Sequence, residues 1–315
     1  MTLYSDSSDG VGNHGPELES RRFGGGIALV VNPSSGKGRA QRLLPEVAGV
    51  FRDAGRPLEI LLSRNVDEAR TMAVQALDAG VGTLVVMGGD GMVHLGINVV
   101  ADRPGVSDLG LIPAGTGNDL CRGLGMDVQD PVAAARAIVS GAPRPIDVLK
   151  VNDEFVGGVV ATGFDALVNA RANAMKRPKG TLRYAIAALV ELASFDPLPY
   201  RLVIDGEERE LDAMLLAVGN SSYYGGGMKI CPDADPSDGL LDLTIVHSAS
   251  RAKLLRLLPD TFSGRFVRDP CVERVRARTV RVERPDLVAY GDGESLTAGP
   301  LDIEVRPGLL CVNVP

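Results

Sequence analysis

Three times in the first 120 residues an apolar run stops at a glycine-rich turn. Ile27–Val31 runs into NPSSGKGR, Thr83–Met87 into GGDG, and Leu109–Pro113 into AGTGNDL. Continuous apolar runs of this length predict strands buried on both faces, as in a parallel sheet covered by helices. Glycine at the carboxyl end of such a strand lets backbone N–H groups approach a ligand without side-chain obstruction. The helix after each turn adds its positive N-terminal end. Ligands of open parallel sheets bind along that edge. Three such turns together predict a phosphate cradle, whereas any one alone is read equally well as a tight connection.

The segments between these turns have helical spacing. Ala40, Leu43, Leu44, Val47, Val50 and Phe51 mark one helix face, with Pro45 expected to bend that helix. Leu58–Leu62 predicts a further strand, and Val66, Ala69, Ala73, Ala76 and Leu77 a further helix face. A helix follows GGDG through Val99. Asp130 and Pro131 read as N-cap and first residue of a helix to Ser140. This alternation predicts an α/β domain with a parallel sheet.

After Pro145 the texture changes. Ile146–Val151 and Phe155–Ala161 predict strands, and two helical stretches follow near 164–177 and 181–194. Asp205-Gly206 predicts a hairpin turn. Leu240–Val246, Thr279–Glu283, Leu287–Tyr290, Leu301–Val305 and Leu310–Val314 predict short strands, interrupted by one helix at about Ser250–Phe262. The expected architecture is α/β in two domains: an N-terminal parallel-sheet nucleotide-binding domain and a C-terminal, mostly antiparallel β-sandwich. The ranges are a disordered leader over 1–22, the first domain over 23–145 and the second over 146–315, with the last strands free to return to the first.

Composition narrows the function classes. A chain of 315 residues with 45% hydrophobic content can fill two ordinary cores. A formal net charge of −7 argues against a general nucleic-acid binder. The four cysteines (Cys121, Cys231, Cys271, Cys311) form no CxxC pair and the three histidines no HExxH, so neither a disulfide framework nor a zinc site is expected. No apolar run approaches the roughly 18 residues that span a bilayer. The polar, acidic start is unlike a secretory signal, so a cytoplasmic protein is expected. The cradle is not a Walker loop, because NPSSGKGR lacks the first glycine and Lys37 precedes Gly38. GTGNDL is not GxGxxG, and the protein-kinase HRD and DFG signatures are missing.

NPSSG, GGDG, IPAGTGND, YYGGGMKICPDADPSDGLLD and GDGE occur here in the order that resembles the diacylglycerol-kinase catalytic-domain family, whose members include bacterial soluble lipid kinases and sphingosine and ceramide kinases. The resemblance runs from about Ile27 to the end. It implies an ATP-dependent lipid kinase with its site in the cleft between two domains, using ATP and Mg2+. Asn32, Pro33, Ser34, Ser35 and Gly36 resemble the first ATP loop. Ser63 resembles a nucleotide-contacting residue. Gly88, Gly89, Asp90 and Gly91 resemble the phosphate loop, with Asp90 a ligand of the nucleotide's magnesium or a partner of one. Thr116, Asn118 and Asp119 belong to the third loop. Asp292 and Glu294 resemble the catalytic acidic pair, Glu294 being the usual proton acceptor. The resemblance also implies a structural magnesium held by Asp235, Asp238 and the carbonyl of Leu240, the other reading of that acidic loop being a solvated turn.

Met92 and His94 depart from the family, which usually carries Thr and Asn there. Because a backbone N–H at the helix start would still face phosphate, Met92 is expected to tune the site and not abolish it. Two basic amphipathic stretches, Ala170–Arg183 and Arg251–Arg268, are read either as solvated helix faces or as contacts to an anionic membrane that presents the lipid substrate. Alternatives to the lipid kinase are NAD kinase, which shares GGDG, and a non-catalytic nucleotide- or lipid-binding protein. The acceptor lipid and the oligomeric state are not legible in one sequence, and a homodimer is left open.

Overall fold

The computed structural model describes residues 26–163, 196–284, 286–296 and 299–314. The expected leader, the helices near 164–177 and 181–194, and the basic stretch Ala170–Arg183 lie outside the described residues.

Strands β1 (Ile27–Val31), β2 (Leu58–Leu62), β3 (Thr83–Gly88) and β4 (Asp108–Pro113) form a parallel sheet in the order β2-β1-β3-β4. Every residue of β1, β3 and β4 is buried, as their unbroken apolar runs require. Alternate residues serve opposite faces. Ala28, Val30, Leu84 and Val86 pack with Ala69, Ala73 and Leu77 of helix α2 (Val66–Asp78) and Leu95 and Val99 of α3 (Asp90–Ala101), after α1 (Ser35–Asp53) in chain order. Leu29, Val31, Val85 and Met87 pack with Ala40, Val47 and Phe51 of α1 and with Ile138 of α5 (Pro131–Ser140); the short α4 spans Asp119–Gly123. Each such Val, Leu, Ile or Phe contributes about 1.5–3 kcal/mol by leaving water.

Helices α2 and α5 begin where side chains cap them. Asn65 accepts the Glu68 N–H at 2.8 Å, and Asp130 accepts those of Val132 and Ala133. In α1 the non-helical backbone lies at Gly36, Lys37 and Gly38, all at positive φ, and not at Pro45.

The second half contains β5 (Arg144–Val151), β6 (Glu154–Val156), β7 (Val159–Gly163), β8 (Leu198–Ile204), β9 (Glu207–Gly219), β10 (Tyr223–Tyr224), β11 (Met228–Lys229) and β12 (Leu241–His247). Helix α6 (Arg251–Thr261) precedes β13 (Val272–Ala277), β14 (Thr279–Glu283), β15 (Ala289–Gly291), β16 (Glu294–Ser295) and β17 (Leu301–Asn313). Pairing among them is antiparallel. Asp205 and Gly206, at φ 48° and 90°, make the expected turn between β8 and β9.

Four expectations change here. The strand expected over Phe155–Ala161 is broken at Gly157-Gly158, whose N–H groups turn to Asp292. Leu301–Val305 and Leu310–Val314 form one strand with a register shift between Arg306 and Leu310. Leu287 and Val288 precede β15, which begins at Ala289. Val272–Ala277, masked in sequence by alternating charges, is a strand paired with β12.

Strand β17 joins the halves. Its start pairs with β14, its length with β5, and its end runs parallel to β4 at Val312–Leu109 and Asn313–Gly110. One sheet is therefore continuous from the α/β layer into the antiparallel half.

Candidate active site

The three glycine turns meet at one edge because β1, β3 and β4 are parallel and adjacent. In the first loop, Asn32 anchors to the Met87 carbonyl through its N–H, and its Oδ1 accepts the Ser34 N–H at 3.1 Å and hydroxyl at 2.7 Å. Pro33, Ser35 and Gly36 complete that loop. Ser63, at the end of β2, is buried with its hydroxyl donating to the Val31 carbonyl at 3.1 Å. The second loop, Gly88–Gly91, lies directly against the third. A Cβ on Gly115 would collide with the Cα of Gly89, so only glycine permits that approach.

Asp90 braces these loops together. Its two oxygens accept the N–H groups of Asn118 at 2.9 Å and Asp119 at 2.7 Å. Burial pushes the Asp90 carboxyl up, the two N–H groups oppose that, and nearby Asp292 adds to it. Asn118, at φ 56°, closes its own loop by accepting the Gly115 N–H, while Thr116 at the tip is exposed. Asp119 reaches the second half, accepting the Gly226 N–H at 2.7 Å and Arg122 at 2.8 Å. Burial lifts its carboxyl to about 6 and Asp90 adds to that, while Gly226 and Arg122 hold it down. The Arg122 guanidinium stacks near the Tyr223 ring, as does the Lys229 ammonium. Sequence reasoning missed Arg122, because a single arginine in a short helix carries no local signal.

The Met92 expectation is corrected. Its N–H donates to the Gly89 carbonyl at 3.0 Å, closing the first turn of α3, so it does not face the cradle. The side chain is buried in the core between α3 and the sheet. His94 places Nδ1 3.3 Å from Asp292 Oδ2.

The GDGE turn comes from the other half and lands on the same edge. Asp292 Oδ1 accepts the Gly158 N–H at 2.8 Å and Oδ2 the Gly157 N–H at 2.9 Å. Glu294 is exposed, and its Oε1 stands over the first turn of α3, 2.8 Å from where a Cβ on Gly91 would sit. Glycine at 91 thus leaves room for the carboxylate. An acid that can take a proton and a helix start that can take phosphate are brought side by side.

The acidic turn at 231–242 has a different setting. Asp235 Oδ1 accepts the N–H and hydroxyl of Ser237, and Asp238 Oδ1 accepts the Leu240 N–H. Asp238 Oδ2 pairs with Arg276, and Asp233 with Arg274, both from β13. Arg276 also lies 3.7 Å from Asp242. No group of three His, Cys, Asp or Glu side chains among the described residues could hold a metal ion. A cation held by Asp235, Asp238 and the carbonyl of Leu240 would have to displace the guanidinium that faces Asp238. The sequence signal was available in the alternating arginines of VERVRA, but their partners lie about 40 residues away.

The sequence matches the family model of the diacylglycerol kinase catalytic domain over residues 26–151, and that of the YegS C-terminal NAD kinase beta sandwich-like domain over residues 158–314. A diacylglycerol kinase of Mycobacterium tuberculosis is 42% identical over 299 residues, covering 92% of this chain and 96% of the relative. A diacylglycerol kinase of Bacillus subtilis is 28% identical over 268 residues, covering 84% and 88%. The solved structure of a diacylglycerol kinase from Bacillus anthracis shares the fold, with a TM-score of 0.72 at 23% identity over 92% of this chain and 97% of that one. With its parallel-sheet first half and sandwich-like second half, the chain belongs to the family of the diacylglycerol kinase catalytic domain.

Proposed function

We propose that this protein is an ATP-dependent lipid kinase that phosphorylates a hydroxyl of diacylglycerol or a related lipid. One observation carries this reading: Glu294, from the second half, stands over the first turn of α3 where the three loops of the first half meet. ATP with its magnesium enters as a substrate, its phosphates facing the loop backbones and the start of α3. Phosphoryl transfer needs placement and charge neutralisation more than covalent help. The acceptor oxygen attacks the γ-phosphorus, the bond to the bridging oxygen of ADP breaks, and the hydroxyl proton passes to Glu294. Asn32–Gly36, Ser63, Gly88–Gly91, Thr116, Asn118 and Asp119 are assigned to the nucleotide side, and Asp292 to holding the turn that bears Glu294.

No helix among the described residues is long and apolar enough to cross a membrane. The lipid would be met from the water side. Helix α6 and the turn after it expose Leu255 and Phe262 beside Arg251, Arg256 and Arg268, a face suited to an anionic cytoplasmic leaflet.

Purified protein with labelled ATP and magnesium, offered diacylglycerol, sphingosine, ceramide and NAD separately, tests the reading. Label in at least one lipid is expected. Label only in NAD would replace the lipid acceptor with a dinucleotide. ATP binding with no label anywhere would favour a binding protein.

A further inference from the structure

His94 is buried on α3, one turn beyond the phosphate loop, and its ring sits between Asp292 and Asn98. Nδ1 lies 3.3 Å from Asp292 Oδ2, the oxygen that also accepts the Gly157 N–H. Nε2 lies 3.3 Å from Nδ2 of Asn98, one turn further along α3. Asn98 is fixed in turn by Phe155 of β6, donating to its carbonyl at 2.8 Å and accepting its N–H at 2.9 Å. The helix of the first half and the Gly157-Gly158 break of the second therefore close on Asp292 together.

Glu294, two residues on, has no such anchorage: its carboxylate makes no hydrogen bond among the described residues. Its place over Gly91 depends on the backbone of the 291–294 turn. That turn is held by β15 pairing, by the Asp292 N–H to the Val159 carbonyl at 3.2 Å, and by the three contacts to the Asp292 carboxylate. Among the described residues, only the His94 contact ties that turn to the helix that carries the phosphate loop.

We infer that His94 is a positioning residue: through Asp292 it ties the Asp292–Gly293–Glu294 turn to α3 and so sets the distance between Glu294 and the phosphate loop. The inference rests on the lipid-kinase reading for its catalytic consequence, but the contact itself does not. A neutral ring with its proton on Nδ1 donates to Asp292, while the two Asn98 amide hydrogens serve the carbonyls of His94 and Phe155. A protonated ring makes the Asp292 bond charge-assisted and turns Nε2–H toward Glu154 Oε2, 3.9 Å away.

Among the described residues, the charged groups facing the ring are Asp292, Glu294 and Glu154, all acidic. Burial depresses the imidazolium, the largest single effect, but the carboxylates together outweigh it and raise the ring above its ordinary value. The charge-assisted clamp is thus fully present below the ordinary histidine range and lost as pH rises through the raised folded value.

Three measurements on the full-length protein test this. First, the C2 proton of His94 should titrate at lower pH in Asp292→Asn than in the wild type, because the close carboxylate that favours the imidazolium is lost. An unchanged titration overturns the contact, whatever the enzyme phosphorylates. Second, with a phosphorylated lipid in hand, His94→Ala should lower kcat about tenfold while KM for ATP stays within about threefold, and His94→Asn should recover part of the loss. Unchanged kcat in His94→Ala, or a rise in KM that accounts for the whole effect, overturns the positioning role. Third, the kcat–pH profile should lose in His94→Asn one inflection that lies above the ordinary histidine range; a superimposable profile also overturns it. Should no lipid be phosphorylated, the functional reading fails while the first measurement still decides the contact.

Discussion

Two aspartate-glycine turns of the second half look alike in sequence and are wired oppositely. In GDGE, Asp292 faces two backbone N–H groups and a histidine, and Glu294 has no side-chain partner among the described residues. In PDADPSDG, Asp233 and Asp238 face Arg274 and Arg276, and Asp235 caps its own turn. The second turn is also tied down from below: Asp147 Oδ2 accepts the Gly239 N–H and its Oδ1 the Gly308 N–H, each at 2.7 Å. A cluster of carboxylates is therefore a site or a strut according to its partners. Where arginines balance the charge, the cluster holds strands together; where backbone dipoles hold one acid and leave the next free, the free acid can do chemistry.

The sharpest way to break this contrast is Glu294→Gln. Removing a general base typically costs 10²–10⁴-fold, so turnover should fall at least about 100-fold while ATP binding, read by calorimetry, stays intact. Undiminished turnover would place the base elsewhere and make GDGE a second strut.

Asp292→Asn should cost less, about tenfold in kcat. It keeps an acceptor for one glycine N–H but sets an NH2 group against the other, so the turn loosens without losing Glu294. Faster hydrogen exchange over 289–296 should accompany the loss; slow exchange with reduced kcat would mean that Asp292 itself acts on substrate.

The smallest effect is expected from Arg276→Ala. This half-exposed arginine joins Asp238 and approaches Asp242, and its loss should lower stability by about 1 kcal/mol, with kcat unchanged. The thermal midpoint of the wild type should not move with EDTA. A midpoint that drops on chelation and recovers with magnesium would show that the strut contains a cation after all.

Much of the first half was legible because its signals are local. Three apolar runs ending in glycine place three buried strands, and parallel strands put their carboxyl ends together without further information. Asp130 announces its helix by standing before an apolar period. The second half was legible only in pieces. Val272–Ala277 hides its period-two pattern under Glu273, Arg274 and Arg276, because its partners there are ions and not core. The break at Gly157-Gly158 lay in view in FVGGVV. Its purpose did not, since it exists for a carboxylate about 135 residues further on.

Met92 and His94 show the same division. From sequence, both are losses of polarity beside a phosphate loop. In the fold, Met92 closes a helical turn and fills the core, and His94 reaches Asp292 from the other half of the molecule. Local sequence by itself determined the strands of the α/β layer, the glycine loops at their ends and the motifs that mark the family, because each depends on residues a few positions apart. Only the tertiary structure decided that β17 returns to pair with β4, that Arg276 neutralises Asp238, and that Glu294 meets Gly91. Those outcomes depend on pairings between residues 38 to about 200 positions apart, whose free energy exists only once both halves have packed.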